Sequence, residues 1–330
     1  MSLPPCKYRT GKTLGQGTYA VVKEVFHVET GERYAAKVLN KSLMRGREHL
    51  IRNEILVLSK VSKGHPNIVS LMDYFETTNN LYLVMELATG GELFDRIWDK
   101  GTFYEMEAAQ VIKTVLNSVK YLHDQGIVHR DLKPENLIYK SKDIDSPLLV
   151  ADFGLAKVID PDQFYSLTTT CGTPGYMAPE IYLKTGYGKP VDMWAIGVIC
   201  YFLLSGEPPF HHQDPIARVQ AITSGDYNFN SPQWMNVSEL AKHFIQQLLI
   251  INPHTRMTCD QALTHQWLTN DTYIEQPISM FDFQQLEKGL QLDRSTQLRN
   301  AFKKTINVVK AINAIKRIDQ FPIEEEVGTS

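Results

Sequence analysis

The chain has 330 residues, 43% apolar and 22% charged, enough to build a globular protein with a sizeable core and two domains or lobes. Its formal net charge of −3 excludes a global nucleic-acid-binding charge. No run approaches the ~18–20 apolar residues that span a bilayer, which excludes stable membrane insertion.

The start, Met-Ser-Leu-Pro-Pro-Cys, has no apolar signal core, and Ser2 stands where myristoylation needs glycine. Cys6, Cys171, Cys200 and Cys259 form no CxxC pair, which fits reduced thiols. A soluble cytoplasmic protein is expected. Residues 8–90 read mainly as strands, with β-rich runs at Ala20–Val22, Tyr34–Val38 and Leu81–Glu86 and turn signals such as Glu29-Thr30-Gly31-Glu32 between them. One stretch differs: Ile51, Ile55, Leu58 and Val61 recur at helical spacing between Leu50 and Val61. Gly90-Gly91 marks a flexible turn at the end of the join Glu86–Gly91. From Glu92 to Trp267 the pattern is largely helical, as in Glu105–Gln125 and Val191–Ser205.

Three strings carry chemistry. Leu14-Gly15-Gln16-Gly17-Thr18-Tyr19-Ala20-Val21-Val22 is a glycine-rich turn between strands, where backbone N–H groups can approach phosphate oxygens without a Cβ in the way. A Rossmann turn also starts Gly-x-Gly, but it needs a helix next, and Val21–Val25 reads as a strand. His129-Arg130-Asp131-Leu132-Lys133-Pro134-Glu135-Asn136 and Asp152-Phe153-Gly154 lay out the polar end of a phosphoryl-transfer site. Asp131 can accept a hydroxyl proton, while Asn136 and Asp152 supply the hard oxygen ligands Mg²⁺ needs.

With Ala35-Ala36-Lys37 upstream and Ala178-Pro179-Glu180 downstream, this ordered set resembles a protein kinase. The resemblance implies an α+β bilobal protein kinase fold over residues 8–268, with a β-rich N-lobe (8–88) and a helical C-lobe (89–268), using ATP and Mg²⁺. It implies that Lys37 holds the α- and β-phosphates and pairs with Glu54. Met85 would be the gatekeeper behind adenine, and Glu86 and Ala88 would offer backbone hydrogen bonds. Leu14, Val22, Ala35 and Leu137 would sandwich the ring. Lys133 after Asp131, and Gly172-Thr173-Pro174 before Tyr176, match the Ser/Thr version of these loops. His129 and Phe153 are expected to pack with Leu58 and Leu71, Glu180 to pair with Arg256, and Asp192 to brace the catalytic-loop backbone. Thr173 is expected to contact that loop rather than act as a switch. Ala20 departs from the pattern where a third glycine often stands.

Arg130 before Asp131 offers a cationic pocket that a phosphate on Thr168, Thr169 or Thr170 could order. Aligned on Cys171-Gly172-Thr173-Pro174, Thr169 falls where calmodulin-dependent type I kinases are phosphorylated by an upstream kinase. Glu92, in Gly90-Gly91-Glu92-Leu93-Phe94-Asp95, matches the acidic residue that receives an arginine three residues before the phosphoacceptor, and Glu135 could add a second carboxylate. Basophilic protein substrates are expected.

After Trp267 the character changes. Leu298, Phe302, Ile306, Val309, Ile312 and Ile315 step at three or four residues, and Arg299, Lys303, Lys304, Lys310, Lys316 and Arg317 follow with no acidic residue between them. A basic amphipathic helix suits calmodulin, an acidic membrane surface or docking on the domain. The domain resembles the calcium/calmodulin-dependent group through Gly-Gly-Glu-Leu-Phe-Asp-Arg-Ile, Cys-Gly-Thr-Pro-Gly-Tyr-Met-Ala-Pro-Glu and Leu-Ser-Gly-Glu-Pro-Pro-Phe. That resemblance implies a C-terminal regulatory helix within an autoinhibitory, calmodulin-binding segment (269–321), with Phe302, Ile306, Val309 and Ile315 as anchors in 1-5-8-14 spacing; the run Glu324-Glu325-Glu326 marks the tail (322–330) as acidic and disordered. The first anchor is Phe rather than Trp. The stretch 270–298 lacks an Arg-x-x-Ser/Thr site, and there is no long assembly domain, which points to a type I-like monomer. The competing readings are a kinase whose helix binds acidic lipid and a pseudokinase scaffold; the latter predicts loss of Lys37, Asp131, Asn136 or Asp152, and all four are present.

Overall fold

The computed structural model describes residues 6–16, 20–46, 48–159, 167–212, 214–270 and 277–278. The strands β1 (Tyr8–Gln16), β2 (Ala20–His27) and β3 (Arg33–Asn40), the helix α1 (Glu48–Val61) and the strands β4 (Leu71–Glu76) and β5 (Asn80–Glu86) make the small lobe. The five strands form one antiparallel sheet in the order β1-β2-β3-β5-β4.

Register sorts the side chains. Residues opposed in an antiparallel pair share a face, and neighbours along a strand alternate. Val22, Lys37 and Leu83 are opposed, as are Ala35 and Met85, so these five share one face. The other face buries Val25, Ala36 and Val84 under Tyr8, Tyr34 and Phe75. The α1 helix buries Glu54, Val57, Leu58 and Val61, a stripe at three- and four-residue spacing. Lys37 thus projects from the sheet face that packs with α1, and Glu54 is the acidic side chain on the helix's buried stripe.

The large lobe runs through α2 (Leu93–Lys100), α3 (Glu105–Asp124), β6 (Ile127–Val128), β7 (Leu137–Tyr139), β8 (Leu148–Val150), β9 (Lys157–Val158), α4 (Pro179–Leu183), α5 (Pro190–Ser205), α6 (Pro215–Ser224), α7 (Glu239–Leu248), α8 (Cys259–Leu263) and α9 (Gln266–Thr269). Every residue of α5 is buried, as a helix apolar on all sides must be, and Asp192 is its one charged side chain. Two short antiparallel pairs, β6 with β9 and β7 with β8, set the site. The loop 129–136 leaves β6 and enters β7, and the loop 151–156 leaves β8 and enters β9, so the strand pairing holds both loops side by side. The expected β-rich lobe followed by a helical lobe is what the chain builds, with α1 two residues longer at its start than its apolar spacing suggests.

The Gly90-Gly91 join differs from the flexible turn expected. A Cβ on Gly90 would lie 2.0 Å from the Ser141 carbonyl oxygen, so glycine here permits close approach of two backbones. Thr89 N–H and Gly90 N–H donate to the carbonyls of Lys140 and Tyr139, both at 2.9 Å. Gly91 alone needs positive φ, at +85°. The join is fastened to β7 and the turn after it.

Among the described residues, no helix is long and apolar enough to cross a membrane. Gly17, Thr18 and Tyr19 lie outside the described residues, as do Phe302, Ile306, Val309 and Ile315, with the helix expected there, and the tail 322–330. Within 269–321, Pro277 bridges Tyr104 in antiparallel fashion, and Ile278 donates its N–H to the Phe103 carbonyl at 2.8 Å with its side chain fully buried.

Candidate active site

Three segments meet at one ammonium. Lys37 Nζ lies 2.6 Å from Glu54 Oε1 and 3.1 Å from Asp152 Oδ1. Burial alone would lower the pKa of Lys37, but the facing charges of Asp152 and Glu54 overcome it and hold the group above its ordinary value. The Lys37 charge in turn pulls the Asp152 carboxyl well below the usual carboxylate range, against the opposing effect of burial. Glu54 is 5% exposed, whereas half of the Asp152 side chain faces solvent. One oxygen of Asp152 serves Lys37 and the Gly154 N–H, leaving the carboxylate accessible from the cleft. Asp152 sits at φ +61°, a left-handed conformation that Asp tolerates better than most residues.

The second cluster surrounds Asp131, which is 5% exposed. Lys133 Nζ lies 2.7 Å from Asp131 Oδ2, and the Thr173 hydroxyl donates to Asp131 Oδ1 at 2.8 Å while accepting from Lys133 at 2.9 Å. Thr173 therefore does contact the catalytic loop, from 42 residues away. Asn136 donates its Nδ2 to the Asp131 carbonyl at 2.7 Å, which turns its own amide oxygen away from that bond. An amide oxygen and a half-exposed carboxylate on adjoining loops are the hard donors a Mg²⁺ ion takes, so Asn136 and Asp152 fit that cation.

The backbone beneath Asp131 is strained and braced. Arg130 sits at φ +68°, a conformation that costs a non-glycine residue about 1–3 kcal/mol. Asp192 offsets this by accepting the N–H groups of His129 and Arg130, each at 2.9 Å. His129 is fully buried, its ring centroid 5.1 Å from that of Phe153 in edge contact. Phe153 belongs to one hydrophobic core with Leu58 and Leu71.

On the nucleotide side, Val22, Ala35 and Met85 line the sheet face that carries Lys37. Leu137 is fully buried at the start of β7, and Leu14 is 42% exposed at the rim. A Cβ on Gly15 would meet nothing within 4 Å, so the backbone there is open to a ligand. Glu86 accepts the Ser70 N–H at 2.8 Å and pairs with Lys140 at 3.2 Å, clasping one lobe to the other. Ala88 lies in the join beyond it. Glu92 forms an isolated bridge with Ile138, two residues after the short 3₁₀ turn Pro134–Asn136 that carries Glu135.

Thr169 is exposed, and its carbonyl accepts the Tyr187 hydroxyl at 2.6 Å. Arg130 meets the same phenol at 3.2 Å and gives its Nε to the Leu155 carbonyl at 2.5 Å. Glu180 and Arg256 form a bidentate pair at 2.7 and 3.0 Å, both 3% exposed. Sequence reasoning missed Tyr187, which ties Arg130 to the segment bearing Thr169, and nothing in Thr185-Gly186-Tyr187-Gly188 marks it. His123, 2.9 Å from Asp192, was also missed. Its position four residues after Val119 on the apolar stripe of α3 is the signal that could have found it.

A family model described as protein kinase domain matches residues 8–268. Calcium/calmodulin-dependent protein kinase cmkB of Emericella nidulans is 52% identical over 317 residues, covering 94% of this chain and 76% of the relative. The type I calcium/calmodulin-dependent kinase of Schizosaccharomyces pombe is 50% identical over 317 residues, covering 96% and 92%. The type 1B enzyme of Rattus norvegicus is 42% identical over 321 residues, covering 97% and 90%. Likeness of that extent, on a chain whose two loops converge as described, means that this is a Ser/Thr kinase belonging to the protein kinase family, of the calcium/calmodulin-dependent type I kind.

Proposed function

We propose that the chain transfers the γ-phosphoryl group of ATP to Ser or Thr hydroxyls of basophilic proteins, under restraint by its own residues 269–321 and release by Ca²⁺-loaded calmodulin. The observation that carries the catalytic reading is the convergence of Lys37 of β3 on Glu54 of α1 and Asp152 of the β8–β9 loop. ATP would supply the transferable phosphoryl group, and Mg²⁺ would offset the negative charge of its phosphates. Lys37 and the backbone of Gly15–Val22 hold phosphate oxygens, and Asn136 and Asp152 hold the metal. Val22, Ala35, Met85, Leu14 and Leu137 enclose the adenine, with Glu86 and Ala88 offering backbone hydrogen bonds.

Asp131 orients the substrate hydroxyl and takes its proton. Lys133, now paired with Asp131, stabilises negative charge developing on the phosphoryl oxygens. Glu92 and Glu135 receive the substrate's arginine three residues before the phosphoacceptor. An upstream kinase phosphorylates Thr169, whose carbonyl contact to Tyr187 links it to Arg130. The fully buried Ile278 supports the restraint: the segment leading to the calmodulin-binding helix starts out seated on the large lobe. Calmodulin shifts the population only if it binds the released form much better than the seated one. The enzyme acts as a monomer.

The test is phosphorylation of an arginine-directed peptide, with and without Ca²⁺-calmodulin, by the full chain, by a chain stopped near residue ~290, and by Asp131→Asn. Stimulation of the full chain, none of the shortened one and loss of turnover in Asp131→Asn are expected. Equal basal and stimulated rates in the full chain would defeat the regulatory reading. Turnover by Asp131→Asn near the parent rate would defeat the catalytic one.

A further inference from the structure

Beneath the loop that presents Asp131 lies a buried chain of polar side chains from three helices. Asp192 of α5, His123 of α3 and Cys259 of α8 are 1%, 7% and 5% exposed. Asp192 Oδ2 lies 2.9 Å from His123 Nε2 and accepts the His129 N–H, while its other oxygen accepts the Arg130 N–H. On the far side of the imidazole, Cys259 Sγ lies 3.6 Å from Nδ1 and 3.3 Å from Met193 Sδ.

Proton placement follows from these contacts. Burial raises the pKa of Asp192, but the hydrogen bonds it accepts from the His123 side chain and the His129 N–H act against that, and it stands below its ordinary value. An ionised carboxylate only accepts, so the nitrogen facing it, Nε2, carries the ring proton. An unprotonated Nδ1 on the far side is then a buried acceptor that needs a donor. Burial pushes the Cys259 thiol well up, so its proton stays on sulfur. An imidazole nitrogen is a better acceptor than a thioether, so the S–H turns to Nδ1 although Met193 is nearer.

The carboxylate at the end of this chain grips two backbone N–H groups next to the catalytic aspartate, across the strained φ of Arg130. Asp192 thereby fixes the path of the backbone that leads into Asp131. The thiol itself is well fixed. Cys259 opens α8 behind a reciprocal Thr258–Gln261 cap, and Lys120 ties α8 to α3 by reaching Asp260 at 2.9 Å and Asp124 at 3.1 Å.

We propose that Cys259 is a positioning residue for phosphoryl transfer, acting through the imidazole of His123 and the carboxylate of Asp192 on the backbone that presents Asp131. This rests on the reading of Asp131 as the proton acceptor, and it adds a contribution from α8, remote from the cleft, to turnover.

A cycle of four full-length proteins tests it: parent, Cys259→Ala, His123→Gln and the double variant, assayed on an arginine-directed peptide with Ca²⁺-calmodulin, with thermal unfolding measured alongside. An S–H is a weak donor, so Cys259→Ala should lower kcat only about threefold and leave the KM for ATP unchanged. The glutamine of His123→Gln presents an amide N–H to Asp192 and has no tautomer to set, so Cys259→Ala should add no further loss of kcat in that background. An equal loss in both backgrounds, a loss in neither, or a change confined to the KM for ATP would overturn the proposal. Should His123→Gln fail to fold, Cys259→Ser replaces it: a kcat recovered above that of Cys259→Ala supports the thiol's donor role, and an equal loss overturns it. Absence of turnover in the parent would instead remove the catalytic reading itself.

Discussion

Truncating the two partners of the Glu180–Arg256 pair should not cost the same. Glu180 takes both of its hydrogen bonds from Arg256, whereas Arg256 also donates Nε to the Ile250 carbonyl, Nη1 to Pro190 and Nη2 to Ile251, at 2.9, 2.8 and 3.2 Å. Its guanidinium further lies 5.0 Å from the centre of the Trp194 ring. Glu180→Ala therefore leaves a buried cation with three carbonyls and an aromatic face. Arg256→Ala leaves a buried carboxylate stripped of both donors, and three carbonyls stripped of one each. Breaking a buried pair costs about 3–5 kcal/mol, so Glu180→Ala belongs near 3 and Arg256→Ala near 5 or above. At about 2–4 °C per kcal/mol for a domain of this size, the melting temperature should fall by roughly 6–12 °C and 10–20 °C. Urea denaturation and calorimetry of both variants, with the paired Glu180→Met/Arg256→Met protein, check this. Equal costs, or a larger cost for Glu180→Ala, would show that the three carbonyls do not share the guanidinium charge. An apolar pair less stable than Arg256→Ala would refute the claim that the stranded charge is the main penalty.

Lys37→Met should reduce turnover by at least about a hundredfold while leaving the fold intact by circular dichroism, because it removes the charge proposed to hold the phosphates; retention of a tenth of parent activity would count against it. Thr173→Val removes the hydroxyl that joins Asp131 to Lys133 and should lower kcat about tenfold, with Thr173→Ser close to parent; equal losses in the two would argue for packing of the methyl instead. Asp192 has a lowered native pKa, so its contribution is fully present above the unfolded value near ~3.9 and is lost as pH falls through the native one. Melting temperature should accordingly drop below about pH 4, and the acid limb should flatten in Asp192→Asn; an unchanged limb would refute the assignment. Ile278→Asp should unseat the start of the C-terminal segment and raise calmodulin-independent activity severalfold, and basal rates equal to the parent's would mean that this contact does not restrain the enzyme.

What could be read from the chain divides by distance. Asp131, Lys133 and Asn136 are neighbours in sequence, so their cluster is visible as a string, and the alternation of strands 20–27, 33–40 and 80–86 announces the sheet that carries Lys37. Lys37, Glu54 and Asp152 are joined only by the fold, across 17 and 115 residues; resemblance rather than periodicity linked Lys37 to Glu54, and the contact with Asp152 emerged only from the structure. Gly90 shows the limit of local reasoning. A glycine that permits a turn and one that permits two backbones to touch look alike until the Ser141 carbonyl is in place. Tyr187 and His123 stayed hidden for a related reason: a phenol or imidazole gains a role from what burial brings beside it, and burial at a loop or helix end leaves little pattern.

The two strained residues of the site are held from opposite directions, and this decides where control can act. Arg130 is fixed by Asp192 of the fully buried α5, so the backbone presenting Asp131 is anchored to the interior of the large lobe. Asp131 itself is buried and contacted by Lys133 and Thr173. Asp152 is half exposed, and its side chain takes its hydrogen bonds from Lys37 of the small lobe and from the Gly154 N–H of its own loop. Parting of the lobes would take from Asp152 its one charged partner, Lys37, while Asp131 kept Lys133 and Thr173. A segment seated at Phe103 and Tyr104, or a phosphate acting on Tyr187 and Arg130, needs to bias only that weaker element. In a two-state device the restraint works best on the member with fewest partners, and in this chain that member is the proposed metal-holding aspartate rather than the proton acceptor.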